Sequence, residues 1–277
     1  MDTEVVVVIG AGGIGQAIGR REGTGRLVLL ADRNEENLAA AAATLEAGGH
    51  QVATQTVDVA SRESVHALAT AAAELGPVTR MIHTAGLSPV QAPPEAILAV
   101  DLYGVAVVLE EFGRVIARGG AGLVISSMAG HMIPALPTEH DMALATTPAD
   151  ELLQLSILSA GAVSNSGAAY AIAKRANQLR VQAAAVEWGD RGARVNSMSP
   201  GIILTPLARD EMSGPGAEVY RNMVEQSAAK RVGTVDEIAN AAALLLGPDG
   251  SFITGSDLLI DGGVIAAIRA GRIQLGR

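Results

Sequence analysis

Tyr170 and Lys174 stand four residues apart in Tyr170-Ala171-Ile172-Ala173-Lys174, the spacing that puts two side chains on one face of a helix. An ammonium within about 4 to 6 Å of a phenol favours the phenolate. It can lower the phenol pKa by ~1 to 3 units from about 10, towards a value useful for proton transfer near neutrality. A Tyr-x-x-x-Lys by itself is commonly a surface pair. Here tyrosine is scarce, three in 277 residues, and the segment 168–185 is otherwise largely Ala, Ile, Leu and Val. The pair is therefore a candidate proton-transfer unit.

A second candidate lies near the N-terminus, where Gly10-Ala11-Gly12-Gly13-Ile14-Gly15 contains G-x-G-x-x-G between a β-branched run, Val5 to Ile9, and an apparent helix through Arg21. Backbone N–H groups at a helix N-terminus can hold a pyrophosphate, and glycines let the backbone approach it. Asp32 follows, 22 residues after Gly10, where a carboxylate can accept from both ribose hydroxyls of an adenosine and repel a 2′-phosphate. Arg33 is the counter-argument, since a guanidinium could receive that phosphate. The balance favours NAD over NADP.

The elements that would carry these groups alternate along the chain. Strands are expected at 5–9, 26–31, 51–57, 78–83, 122–127, 194–198 and 257–260. Helices are expected at 34–47, 61–75, 94–118 and 166–188, and near Glu218 and Val235. This pattern predicts an α/β fold: a single doubly wound Rossmann-type domain over 1–277, with a parallel sheet of about seven strands flanked by helices. Composition narrows the partners. Cysteine is absent, which excludes a disulfide framework and thiolate chemistry. Twenty basic against 29 acidic residues leave a net charge of -9, the wrong sign for nucleic acid or an anionic membrane. The N-terminus has no basic flank before its apolar run, so a cytoplasmic protein is expected. With 49% apolar and only 18% charged residues, much surface must be apolar or buried between subunits, and a homodimer or homotetramer is expected. His131, His140 and Asp141 lack metal-ligand spacing, and no metal site is expected.

Taken in order, the motifs resemble the short-chain dehydrogenase/reductase family over almost the whole chain. They are the Gly-rich turn, Asp58-Val59, Ala85-Gly86, Ser126-Ser127, Tyr170-x-x-x-Lys174, Arg194-Val195-Asn196, Pro200-Gly201, Thr205-Pro206 and Asp261-Gly262-Gly263. The resemblance implies an NAD(P)-dependent oxidoreductase interconverting a secondary alcohol and a ketone. Tyr170 would exchange the proton, Ser127 would hold the substrate oxygen, and Lys174 would tune Tyr170 and bind the nicotinamide ribose. Asp101 stands where the family has a helical Asn that anchors a relay water. The implied cofactor site takes in Gly10, Gly12, Gly13, Ile14, Gly15, Asp32, Arg33, Asp58, Val59, Ala85, Gly86, Tyr170, Lys174, Pro200, Gly201, Ile203 and Thr205. The substrate would be a small alcohol or ketone, with a lipophilic one in view.

The chain departs from the family in four places. Its glycine turn is one residue shorter and carries no basic or hydroxyl side chain. His83-Thr84 replaces the family's Asn-Asn, with His83 read as a packed strand residue, and Asp101 replaces Asn. Ser127 and Tyr170 lie 43 positions apart where about a dozen is usual, so residues 131–165 form an insertion. Within it Thr147-Pro148-Ala149-Asp150 reads as an N-cap, followed by Leu152, Leu153, Leu155, Ile157 and Leu158 as an all-round apolar helix. The insertion leaves and returns beside the cleft, so it is expected to cover the nicotinamide end and to affect a subunit contact. Two alternatives remain. A non-catalytic dinucleotide-binding regulator usually loses the Tyr or the Lys, and a nucleotide-sugar epimerase usually carries a larger C-terminal domain.

Overall fold

The structure is a computed structural model that describes residues 3–205, 208 and 217–274. β1 (Val5–Ile9) is wholly buried near the middle of a seven-stranded sheet. Alternate side chains serve two cores: Val5, Val7 and Ile9 face one, Val6 and Val8 the other. The other strands are β2 (Leu27–Asp32), β3 (Gln51–Thr56), β4 (Val78–His83), β5 (Ile116–Ile125), β6 (Arg194–Pro200) and β7 (Asp257–Ile260), in the order β3-β2-β1-β4-β5-β6-β7. Every neighbouring pair is parallel. α1 (Gly13–Glu22) and α2 (Glu35–Ala47) pack on the Val6/Val8 face, and α3 (Arg62–Leu75) on the opposite one. The order reverses between β1 and β4, which leaves a crevice at the carboxyl ends of these strands.

The single helix expected over 94–118 is three pieces and a strand. α4 (Pro94–Ile97) runs into π-helical turns at Leu98–Gly104 and then α5 (Val105–Val115). The chain leaves helical geometry at Ile116, which pairs with Val78. β5 therefore starts six residues before the expected Gly122 and ends at Ile125, two before the expected Ser127. Ile116 gains a ladder partner and full burial, and Gly119, at φ +77, turns the chain before it resumes pairing at Ala121.

The insertion also differs from expectation. α6 (Thr138–Thr146) was not foreseen, and α7 (Ala149–Leu152) lasts one turn before a 3-10 turn at Ser156–Leu158. Thr147 does not cap α7. It ends α6, and its carbonyl accepts from Arg180 at 2.8 Å, while the Ala149 N–H that opens α7 is received by Glu110 Oε1 of α5 at 3.0 Å. Leu144, Leu152, Leu158 and Val163 enter the core shared with β1 and α5. The 25-residue α8 (Ser166–Asp190) follows, then α9 (Ala217–Gln226), α10 (Val235–Leu246) and α11 (Val264–Arg269). No helix among the described residues is long and apolar enough to cross a membrane.

Candidate active site

At the carboxyl end of β5 the chain becomes extended through Ser127, which begins a 3-10 turn over Met128–His131. Its Oγ accepts the Ala129 N–H at 3.2 Å. The preceding Ser126 is buried, and its hydroxyl donates to the Lys174 carbonyl at 2.8 Å, pinning the register of α8 to the strand end. That register brings Tyr170 and Lys174 into the cavity that Ser127 lines, about 400 Å³ in volume. The Lys174 Nζ lies 5.2 Å from the centre of the Tyr170 ring.

Asp101 lies in the π-helical turns and is fully buried. One carboxylate oxygen accepts the Leu87 N–H at 2.7 Å, and the other is 3.3 Å from Lys174 Nζ. Burial pushes the Asp101 carboxyl up, against the pull of the ammonium and of the Leu87 N–H. Burial works against the Lys174 ammonium too, but the charges of Asp101 and Tyr170 outweigh it and hold Lys174 above its ordinary range, so the two form an ion pair. His83 is buried at the end of β4, and burial, with Lys174 nearby, pushes its pKa down to about 3. It is neutral, as a packed strand residue should be, and neither ring nitrogen has a side-chain hydrogen-bond partner among the described residues.

A second cavity of about 650 Å³ follows the Gly-rich turn and shares Ile14, Thr84, Gly86, Leu87 and Thr205 with the first. Gly12 precedes α1 and gives it no side-chain cap, and Gly12, Gly13, Ile14 and Gly15 line the cavity, so the helix end whose first N–H groups lack intrahelical partners lies against it. Gly10, at φ +102, lies so close to Thr84 and Ala85 that a Cβ would sit 2.5 Å from the Ala85 nitrogen, and the Thr84 hydroxyl donates to the Gly10 carbonyl at 2.9 Å. Asp32 Oδ2 accepts the Ala11 N–H at 2.7 Å and Oδ1 the Asn34 N–H at 2.9 Å, so this carboxylate also shapes the turn. Arg33 is exposed, 3.9 Å from Asp58. A trough with a helix N-terminus at one end and a carboxylate lip fits a dinucleotide.

Of the residues singled out from the sequence, Gly10, Gly12, Gly13, Ile14, Gly15, Asp32, Arg33, Asp58, Val59, Ala85, Gly86 and Thr205 line this trough. Ser127, Tyr170, Lys174, Asp101, Pro200, Gly201 and Ile203 line the adjoining cavity. Pro206 lies outside the described residues. From the sequence the substrate pocket is expected to come from the insertion and from the segment 204–224; Met132 of the one and Tyr220 and Met223 of the other line it, and Leu87, Pro89, Met128 and Ile202, which sequence reasoning missed, complete the apolar wall. Tyr220 and Met223, three apart on a helix, are its only local signal. Of the insertion, only Met132 reaches either cavity among the described residues, so the expected cover over the nicotinamide end is corrected. Leu144, Leu152 and Leu158 are drawn instead into the main core, in one cluster with residues of α5 and α8, while Leu153 stays exposed.

Residues 4–137 match the family described as short chain dehydrogenase, and 140–265 that described as Enoyl-(Acyl carrier protein) reductase. The chain is 42% identical over 268 residues to the short-chain dehydrogenase/reductase bsc3 of Alternaria brassicicola, covering 96% of this chain and 97% of that one. It is 31% identical to D-threitol dehydrogenase of Mycolicibacterium smegmatis, covering 95% and 93%. A short-chain type dehydrogenase/reductase from Mycobacterium ulcerans superposes with a TM-score of 0.74 at 25% identity, covering 96% of this chain and 90% of the other. With motif order, sheet order and site in agreement, the chain belongs to the short-chain dehydrogenase/reductase family of oxidoreductases.

Proposed function

We propose that this protein interconverts a secondary alcohol and a ketone with a nicotinamide dinucleotide, and that Tyr170 is its proton donor and acceptor. The observation that carries this reading is the meeting of Ser127, Tyr170 and Lys174 in one cavity that continues into the glycine-lined trough. The bound nicotinamide supplies or accepts hydride at the substrate carbon. In the reducing direction the Tyr170 O–H donates its proton to the carbonyl oxygen, and the Ser127 hydroxyl stabilises the charge developing there. Lys174, held charged beside the ring, makes the phenolate that remains less costly. In the oxidising direction Tyr170 accepts the alcohol proton.

The turn from Gly10 to Gly15 would receive the pyrophosphate at the α1 N-terminus, and Asp32 the adenosine ribose. Asp32 already accepts two backbone N–H groups, but a carboxylate has about four acceptor positions, so room is left for a hydroxyl. We infer NAD over NADP, because a 2′-phosphate would meet this anion. NADPH binding more tightly than NADH in a fluorescence titration would overturn it, and Arg33 would then be its partner.

The apolar wall supports a neutral, lipophilic substrate. Several relatives carry names that span this choice, from galactitol 2-dehydrogenase of Cereibacter sphaeroides to levodione reductase of Leifsonia aquatica. The test is oxidation or reduction of NAD(H) and NADP(H) against a panel of cyclic ketones, aliphatic ketones and polyols. We expect the cyclic ketones to give the highest kcat/KM; turnover of none of the panel, with either cofactor, would remove the reading. A cytoplasmic homodimer or homotetramer is expected as well, and sedimentation at micromolar concentration checks the assembly.

A further inference from the structure

We propose that Asp101 is a positioning residue, the fixed counter-ion of Lys174, which holds the ammonium against Tyr170 and cancels part of the field that it exerts on the phenol. The inference rests on the assignment of proton exchange to Tyr170.

The geometry gives Lys174 two partners. Its Nζ is 3.3 Å from Asp101 Oδ2 and 5.2 Å from the Tyr170 ring centre, so its charge acts on both. Asp101 cannot turn away: its other oxygen is tied to the Leu87 N–H at 2.7 Å, and the residue has no exposed surface. The salt-bridging oxygen has no hydrogen-bond partner among the described residues, so the ammonium is its compensation. The groups facing the pair are few. On its own helix Lys174 meets Tyr170, across from it Asp101, and from β4 the neutral His83. No other charged side chain among the described residues acts appreciably on either member.

The consequence follows from the net charge of a dry site. With Tyr170 protonated, the trio of phenol, ammonium and carboxylate is neutral, and losing a proton leaves one uncompensated negative charge. With a neutral amide at position 101 the same site begins at plus one and becomes neutral on losing that proton. A buried site gives up a proton far more readily in the second case, whichever of the two groups releases it. Asp101 therefore keeps Tyr170 protonated to higher pH than Lys174 alone would. It biases the site towards proton donation, the reducing direction.

Asp101→Asn is the decisive variant, since the amide oxygen can still accept from Leu87 while the negative charge is lost and the atom facing the ammonium becomes an NH2. The protein has three tyrosines, so tyrosinate absorbance near 295 nm in the cofactor-free protein, less the same titration of Tyr170→Phe, isolates Tyr170. We expect its midpoint to fall by about one pH unit or more in Asp101→Asn. The pH profile for alcohol oxidation should move the same way. An unchanged or higher midpoint would overturn the proposal while leaving the role of Tyr170 intact, because that role is tested by the Tyr170→Phe turnover. Should Asp101→Asn fail to fold, the pair can be read on a Lys174→Met background, where the carboxylate is stranded. Adding Asp101→Asn should then raise the melting temperature, and a further fall would overturn the pairing.

Discussion

Tyr170, Ser127 and Lys174 come from two stretches of chain, and Ser127 and Lys174 are held by different local devices. Ser127 is aimed by the turn that its own hydroxyl caps, and Lys174 by the bond from Ser126 to its carbonyl and by Asp101. Tyr170→Phe deletes only the hydroxyl that we propose moves the proton. Turnover should fall by roughly 10² to 10⁴, with cofactor affinity within about threefold of the parent, as steady-state kinetics and calorimetric titration would show. Lys174→Ala should weaken both, since it removes the ammonium and strands Asp101. At this scale the sequence was most legible: the i, i+4 pair and the glycine turn are local spacings, visible without a fold. The wall contributed by Leu87, Pro89, Met128 and Ile202 was not, because apolar residues on separate elements have no common spacing.

Between elements, the insertion is bound by charge on its outside and by leucine on its inside. Arg62 of α3 reaches Glu110 at 2.7 Å, Glu111 at 2.9 Å and Asp150 of α7 at 2.9 Å. Arg180 of α8 donates to the carbonyls of Leu144 and Thr147. Leu152 is wholly buried. Leu152→Ala should cost about 2 to 5 kcal/mol in a denaturant melt while leaving KM within about twofold. A large change in KM with little change in stability would restore the insertion to the substrate cleft. The apolar run itself was plain in the sequence, and so was its need for cover. Which surface covers it was not, because a run that is apolar all round demands burial and names no partner.

For the whole molecule, His83 ties stability to pH. Its pKa in the folded chain is about 3, against an ordinary value of 6.5. Between these values the unfolded chain takes up a proton that the folded chain refuses, so the stability is fully present above pH 6.5 and is lost progressively towards pH 3. The loss from this one group should be on the order of 2 kcal/mol by pH 5. Thermal melts of the parent and of His83→Asn at pH 7.5 and pH 5 should show the parent losing more. Equal losses would mean that His83 is solvated when folded.

Strand and helix alternation, the parallel sheet and the glycine turn were settled by the chain's own pattern, since β-branched runs, caps and glycines act over a few residues. What only the tertiary structure decided was where long-range partners overrule those local preferences. Ile116 leaves a helix to pair with Val78, Thr147 gives its carbonyl to Arg180 and its capping place to Pro148, and the insertion joins the core. Asp101 is a partial case: the sequence places an acid where the family has its helical Asn, and packing decides how closely it is buried against Lys174, at 3.3 Å. Each of these outcomes depends on a hydrogen bond, an ion pair or a burial supplied by residues dozens of positions away. No window of sequence contains both halves.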